Sequence, residues 1–120
     1  MASAVLCRSA DEVFIAGNNG ILFVGNRKGW RRLGRPDYEE IFSSMAEFQG
    51  RLYACTQSDL WTWNGRELEL VETKLKGDVT FYQLCSAGPH LWATSEQEQL
   101  HHFDGKKWES LVSPESRASR

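Results

Sequence analysis

Few residues in this chain are suited to chemistry, and they are poorly grouped. His101-His102 with Asp104 is the most metal-like cluster. Adjacent residues on a strand point to opposite faces, so two neighbouring imidazoles do not readily share one ion. The third histidine, His90, falls in a turn after Gly88-Pro89 and is expected in solvent. Cys7, Cys55 and Cys85 are an odd set without a Cys-x-x-Cys pair. They write neither a full disulfide framework nor a zinc knuckle, and they read as reduced thiols. Cys7 and Cys85 hold one place of an internal repeat, with Ala46 between them, a pattern that predicts small packed residues on an inner strand rather than nucleophiles. No Gly-x-Ser-x-Gly elbow is present. Gly17-Asn18-Asn19-Gly20 is followed by no helix whose dipole could hold phosphate, so it reads as a hairpin turn. The residues therefore point away from an enzyme and away from any cofactor or metal, and toward binding.

A binding surface needs a scaffold, and the scaffold is written as a repeat. Val13-Phe14-Ile15-Ala16 recurs as Leu52-Tyr53-Ala54-Cys55 and as Leu91-Trp92-Ala93-Thr94, so the steps 13 to 52 and 52 to 91 are both 39 residues. Leu6, Met45 and Leu84 keep the same step. A second apolar or aromatic run follows in each copy: Leu22-Phe23-Val24, Leu60-Trp61-Thr62-Trp63 and Leu100-His101-His102-Phe103. Eight residues after each leading Leu stands Trp30, Leu68 or Trp108. Residues 26–29, Asn64-Gly65 and Asp104-Gly105 intervene, which are hairpin-turn residues because Asn, Asp and Gly tolerate positive φ.

Each copy divides into four strand-like pieces, in the second copy residues 41–48, 51–56, 59–63 and 67–72. Short strands with turns every 8 to 12 residues argue for an all-β fold. Only residues 37–48 could pass as a short helix, and their β-branched, aromatic and Ser residues weaken that reading. Four strands in a period near 40 predict β-propeller blades, three per chain, over about residues 4–34, 41–73 and 80–112, with residues 113–120 a disordered polar tail. Trp30, Trp61, Trp63, Trp92 and Trp108 are expected between blades.

The third copy carries a family resemblance. Leu91-Trp92-Ala93-Thr94, then Leu100-His101-His102-Phe103-Asp104-Gly105-Lys106-Lys107-Trp108, resembles bacterial β-propeller repeats of the regulator-propeller and kelch-like kind. The resemblance runs from about Val5 to about Val112 and implies a fold; its motif is architectural, so no functional residue comes with it. The first copy departs with Gly25-Asn26 where the third has Phe103-Asp104, and the second has Leu68 where the others have Trp. The Gly-His and Trp-Asp pairs of WD repeats are absent. Some fucose-binding lectins also join such blades, and their sugar-contacting pattern is absent here.

Of 120 residues, 14 are Lys or Arg and 16 are Asp or Glu, a formal charge of -2, with no long block of one sign. Nucleic acid and anionic membrane are therefore not expected as partners. No apolar run approaches the roughly 20 residues of a membrane span, and the first residues lack the pattern of a signal peptide. A cytoplasmic chain is the expectation.

Propellers close with four to eight blades, so three copies leave an apolar sheet face at each end. Head-to-tail contact until a ring shuts is the symmetric remedy, and a homodimer would supply six blades. That arrangement would set residues 5–7, with Leu6 at the contact, beside the blade ending near Leu111. A longer polypeptide or a hetero-assembly would supply the missing blades instead. The reading frame looks like a whole number of blades.

Loops on the two faces of such a disc are where a binding site is expected. The connections between blades carry Arg35, Asp37, Tyr38, Lys74 and Lys76, and the tips within blades carry Asn18, Asn19, Gln57, Asp59, Glu96 and Glu98. Two functions fit this scaffold: a protein-binding module such as a small bacterial partner or immunity-type protein, and a carbohydrate-binding lectin.

Overall fold

The computed structural model describes residues 2–17, 21–33, 40–75, 80–95 and 99–112. The tail at 113–120 lies outside them. The chain folds as three four-stranded antiparallel sheets, each a meander of consecutive strands. The first holds β1 (Ala2–Ser9), β2 (Glu12–Gly17), β3 (Leu22–Asn26) and β4 (Gly29–Arg32). The second holds β5 (Ser44–Phe48), β6 (Arg51–Cys55), β7 (Leu60–Trp63) and β8 (Leu68–Leu70). The third holds β9 (Phe81–Ala87), β10 (His90–Ser95), β11 (Gln99–Phe103) and β12 (Trp108–Val112). These are β-propeller blades, and side by side they span 54 × 29 × 22 Å. Residues 40–43 have no regular structure and Ser44–Phe48 form β5, so the helix considered for 37–48 is not formed over its described part.

Turn chemistry sets the strand ends. Asn64 Oδ1 accepts the backbone N–H groups of Arg66 and Glu67 at 2.8 and 2.9 Å, and Asp104 Oδ1 those of Lys106 and Lys107 at 2.8 and 3.1 Å. Asn26 Oδ1 does the same for Lys28 at 2.8 Å. A short side-chain acceptor of this kind replaces the missing turn carbonyl and stops one strand while aiming the next. The N–H groups of Lys107 and Lys106 also hold the Asp104 carboxyl below its usual range.

Alternation along each strand gives each blade two apolar faces. The face of the second blade toward the first buries Leu52, Ala54, Trp61, Trp63 and Leu68 against Phe14, Ala16 and Leu22. Its opposite face buries Ala46, Phe48, Tyr53, Cys55 and Leu60 against Leu84, Leu91, Ala93 and Trp108. All four residues of β7 are consequently buried. Burial pushes the Cys55 thiol pKa up, which leaves it a small apolar filler.

One break in the repeat has structural consequences. The second hairpin turns on Gln49 and Gly50 with φ of 51 and 76°, the positive pair of a turn whose twist matches the strands. The first hairpin has Ala10-Asp11 there, and neither has positive φ. Its ladder shifts by one residue between Cys7 and Ser9, so that Cys7 pairs with Val13 and Leu6 with Phe14. A one-residue shift moves every side chain to the other face. Leu6 therefore packs into the core between the first two blades, and Val5 is the residue left 63% exposed. The expectation that Leu6 lies at the open end is corrected accordingly. Arg8, at the shift, reaches both Glu12, at 2.9 Å, and Glu47 of the next blade.

Other expectations are also corrected. Cys7 and Cys85 are exposed rather than packed, because each lies on the outer face of an end blade. Trp61, Trp63 and Trp108 are buried between blades, whereas Trp30 is 49% exposed and Trp92 half-buried, since the outer faces lack a neighbour. His90 is half-buried as the first residue of β10, with its ring centroid 4.8 Å from that of His102 and 5.8 Å from that of Trp92.

The third blade's anchor is a stack: Trp108 lies 5.1 Å from Phe103 with planes 15° apart. In the first blade Gly25 occupies the position of Phe103, paired with Trp30. A Cβ there would stand 2.8 Å from Trp30 Cδ2, so the missing side chain is what lets the indole lie on the backbone. Trp108→Ala is expected to lower stability by about 3 to 5 kcal/mol, the cost of deleting a buried aromatic. Urea unfolding measures it, and a loss under about 1 kcal/mol would contradict the packing described.

Candidate functional site

Where the second and third blades separate, the chain leaves an open cleft of 450 Å³. Its rim is the β6–β7 tip, which carries Gln57, Ser58 and Asp59. Buried Thr56 builds that tip: its N–H and Oγ1 both donate to the Asp59 carbonyl at 2.9 and 3.4 Å, and Asp59 N–H donates to its Oγ1 at 3.0 Å. Ser58 Oγ donates to Glu40 Oε1 at 3.0 Å, drawing the chain before β5 onto the rim. Phe81 N–H donates to the Gln57 carbonyl at 3.0 Å and ties the third blade to the same tip. Leu60, Val71 and Phe81 supply apolar wall, and Thr73 and Thr80 add hydroxyls.

Among the described residues the lining has two carboxylates, an amide, three hydroxyls and no cationic side chain. Such a surface accepts hydrogen bonds and favours a cationic or donor-rich group. Among the described residues it has no nucleophile paired with a base. Among the described residues no group of three His, Cys, Asp or Glu could hold a metal ion.

Of the residues singled out in the sequence, the structure brings Gln57 and Asp59 together here. Lys74 follows Thr73, exposed and with φ of 59°, outside the lining. Asn18, Asn19, Arg35, Asp37, Tyr38, Lys76, Glu96 and Glu98 lie outside the described residues. Glu40, Thr73 and Thr80 were not legible as site residues, because they come from connections distant in sequence from the tip.

The preceding seam opens into a cleft of opposite charge, 250 Å³ in volume. Among the described residues Arg31, Arg32 and Arg66 line it with Glu67 as the one carboxylate, and the Arg31 guanidinium lies 5.3 Å over the Trp63 ring.

A serine–histidine arrangement also exists, centred on a buried imidazole with Ser110 at its exposed end. His101 is 1% exposed, with Nε2 at 2.7 Å from Ser95 Oγ and Nδ1 at 2.8 Å from Ser110 Oγ. A neutral imidazole offers one donor and one acceptor, which the two hydroxyls match, so the three side chains clamp β10, β11 and β12. His101 and His102 do lie on opposite faces of β11. The signal for the clamp was in the register: Ser110 lies directly across from His101.

These features define a rigid all-β propeller segment with a polar cleft at a blade seam. No protein-family model matches the sequence. The chain is 26% identical over 106 residues, 88% of its length, to "Immune protein Tsi7" of Pseudomonas aeruginosa. Its fold superposes with a TM-score of 0.75 on the propeller in "YCF48 bound to D1 peptide", at 12% identity over 94% of the chain. The chain spans 34% of the length of the first and 40% of the second. Among the described residues no helix is long and apolar enough to cross a membrane.

Burial holds the His101 pKa below its ordinary value of about 6.5. The unfolded chain therefore binds a proton near that pH which the folded chain binds only at lower pH. Stability is complete above about pH 6.5 and falls as pH drops through it. The melting temperature is expected to be lower at pH 5.5 than at pH 7.5, and His101→Gln to flatten that difference. An equal or higher value at pH 5.5 in the parent would contradict the clamp.

Proposed function

We propose that this chain is a non-catalytic bacterial propeller segment that acts by binding and occluding another protein, in the manner of an immunity protein, and that it completes a six-bladed ring as a cytoplasmic homodimer. The cleft bounded by Glu40, Gln57 and Asp59 carries the reading. Among the described residues it is an acceptor-lined opening between blades, with no reacting pair and no cation in its lining. A basic segment of a partner protein is the chemistry it fits, because Lys or Arg donors meet the carboxylates while the aliphatic stem lies on Leu60 and Phe81. The similarity to an immune protein supports the biological setting, and the peptide complex of a propeller of the same fold supports the mode.

Immobilised protein should retain a partner from lysate of the source cell, with mass spectrometry naming it and calorimetry giving its affinity. Asp59→Arg and Glu40→Arg should each weaken that affinity by on the order of tenfold or more while the circular dichroism stays unchanged. Equal retention by parent and charge-reversed protein would reject the cleft as the site. Binding on a glycan array would replace the protein partner with a carbohydrate.

A further inference from the structure

Among the described residues nothing covers the outer faces of the two end sheets, which repeat the buried seam positions. Trp30 stands where Leu68 and Trp108 stand in the next two blades; those are 9 and 8% exposed and Trp30 is 49%. Val13 and Ile15 hold the places of Leu52 and Ala54, which are fully buried, yet both are partly exposed. At the other end Leu111 holds the place of Leu33 and Val71, which pack against the cores, and is 39% exposed. Trp92 likewise holds the place of buried Phe14 and Tyr53. Each end thus lacks the half that the inner seams supply: the first blade lacks a preceding blade and the third lacks a following one.

The seam between the second and third blades also gives a register. Ser43 Oγ donates to the Tyr82 carbonyl at 3.2 Å, and Leu84 N–H donates to Ser44 Oγ at 3.0 Å. The first strands of these two blades therefore advance in the same sense, and continuing the Ser44–Leu84 register by two residues sets Ala46 opposite Ser86. In the third blade the place of Ala46 belongs to Cys85: the two pair with Tyr53 and Trp92 respectively. In the first blade the place of Ser86, which pairs with Leu91, belongs to Cys7, which pairs with Val13. The ladder shift in β1 puts Cys7 there; the 39-residue step alone would have put Arg8 there.

We propose that a second copy of this chain docks head-to-tail on the open faces in the register of that seam, setting Cys85 of one copy against Cys7 of the other. The inference rests on the homodimer proposed above. Continuity with the two inner seams identifies the occupant, because the open face of the third blade needs the outer face of a first blade, and this chain carries one. Both thiols are exposed and able to react.

Oxidised glutathione is the probe. Two thiols lose two protons and two electrons to it, forming the disulfide and releasing two molecules of reduced glutathione. The parent protein at micromolar concentration should yield a species near 27 kDa, twice 13.7 kDa, without reductant, and its tryptic map should contain a Cys7–Cys85 link. Cys7→Ser and Cys85→Ser should each fail to give the link alone and should restore it when mixed. Val5→Asp, a change at an exposed position, should abolish it while the chain stays folded. Light scattering on unoxidised protein separates the two levels. A mass of 13.7 kDa overturns the homodimer itself. A dimer that gives only Cys7–Cys7 or Cys85–Cys85 links, or none, keeps the homodimer and overturns the head-to-tail register.

Discussion

A four-stranded sheet with apolar residues on both faces covers neither face by itself, and this constraint governs the whole chain. The middle blade satisfies it. Trp61 and Trp63 point one way from β7 and Leu60 the other, and each side meets a neighbour that supplies its missing surface. Burial of such side chains stabilises by roughly 1.5 to 3 kcal/mol each, so the seams outweigh the exposed ion pairs of Arg8, which are worth about 1 kcal/mol or less. The hydrogen-bonded features tune this packing. Ser95, His101 and Ser110 fix the third sheet at its seam, and Thr56 fixes the tip that rims the cleft.

The clefts follow from the same constraint. Blades that touch along inner strands diverge outward, and the space at the mouth of each seam is lined by whatever the tips and connections bring. Successive seams carry opposite charge, with Glu40 and Asp59 at one and Arg31, Arg32 and Arg66 at the other. A partner bridging both would meet a charge pattern rather than a net field, which matches the near-neutral total of -2.

Much of the fold was legible in the sequence because propeller packing is periodic. Matching residues 39 or 40 apart have matching roles: Leu52 and Leu91 are both fully buried at seams, and Asn64 and Asp104 cap equivalent turns. The ladder shift near Arg8 was not legible. The step from Leu6 to Met45 is intact in sequence while the pairing is not, and the cause is a turn residue, Ala10, that does not take positive φ. Exposure at the ends was hidden for a different reason: Trp30 and Trp108 are the same residue type at the same position, and only the presence of a neighbour distinguishes them. At the cleft, Gln57 and Asp59 announced themselves as tip residues, whereas Glu40, Thr73 and Thr80 reach it only through the three-dimensional meeting of two blades.

The central claim is that the outer faces are seams of the same kind as the inner ones, differing only in lacking cover. Hydroxyl-radical footprinting across a range of protein concentrations tests it directly, with Trp61 and Trp63 as buried internal references. The account predicts that Trp30, Trp92 and Val5 become protected together as concentration rises, toward the low reactivity of the references. Reactivity at Trp30 and Trp92 that stays high and constant over the whole range would contradict it.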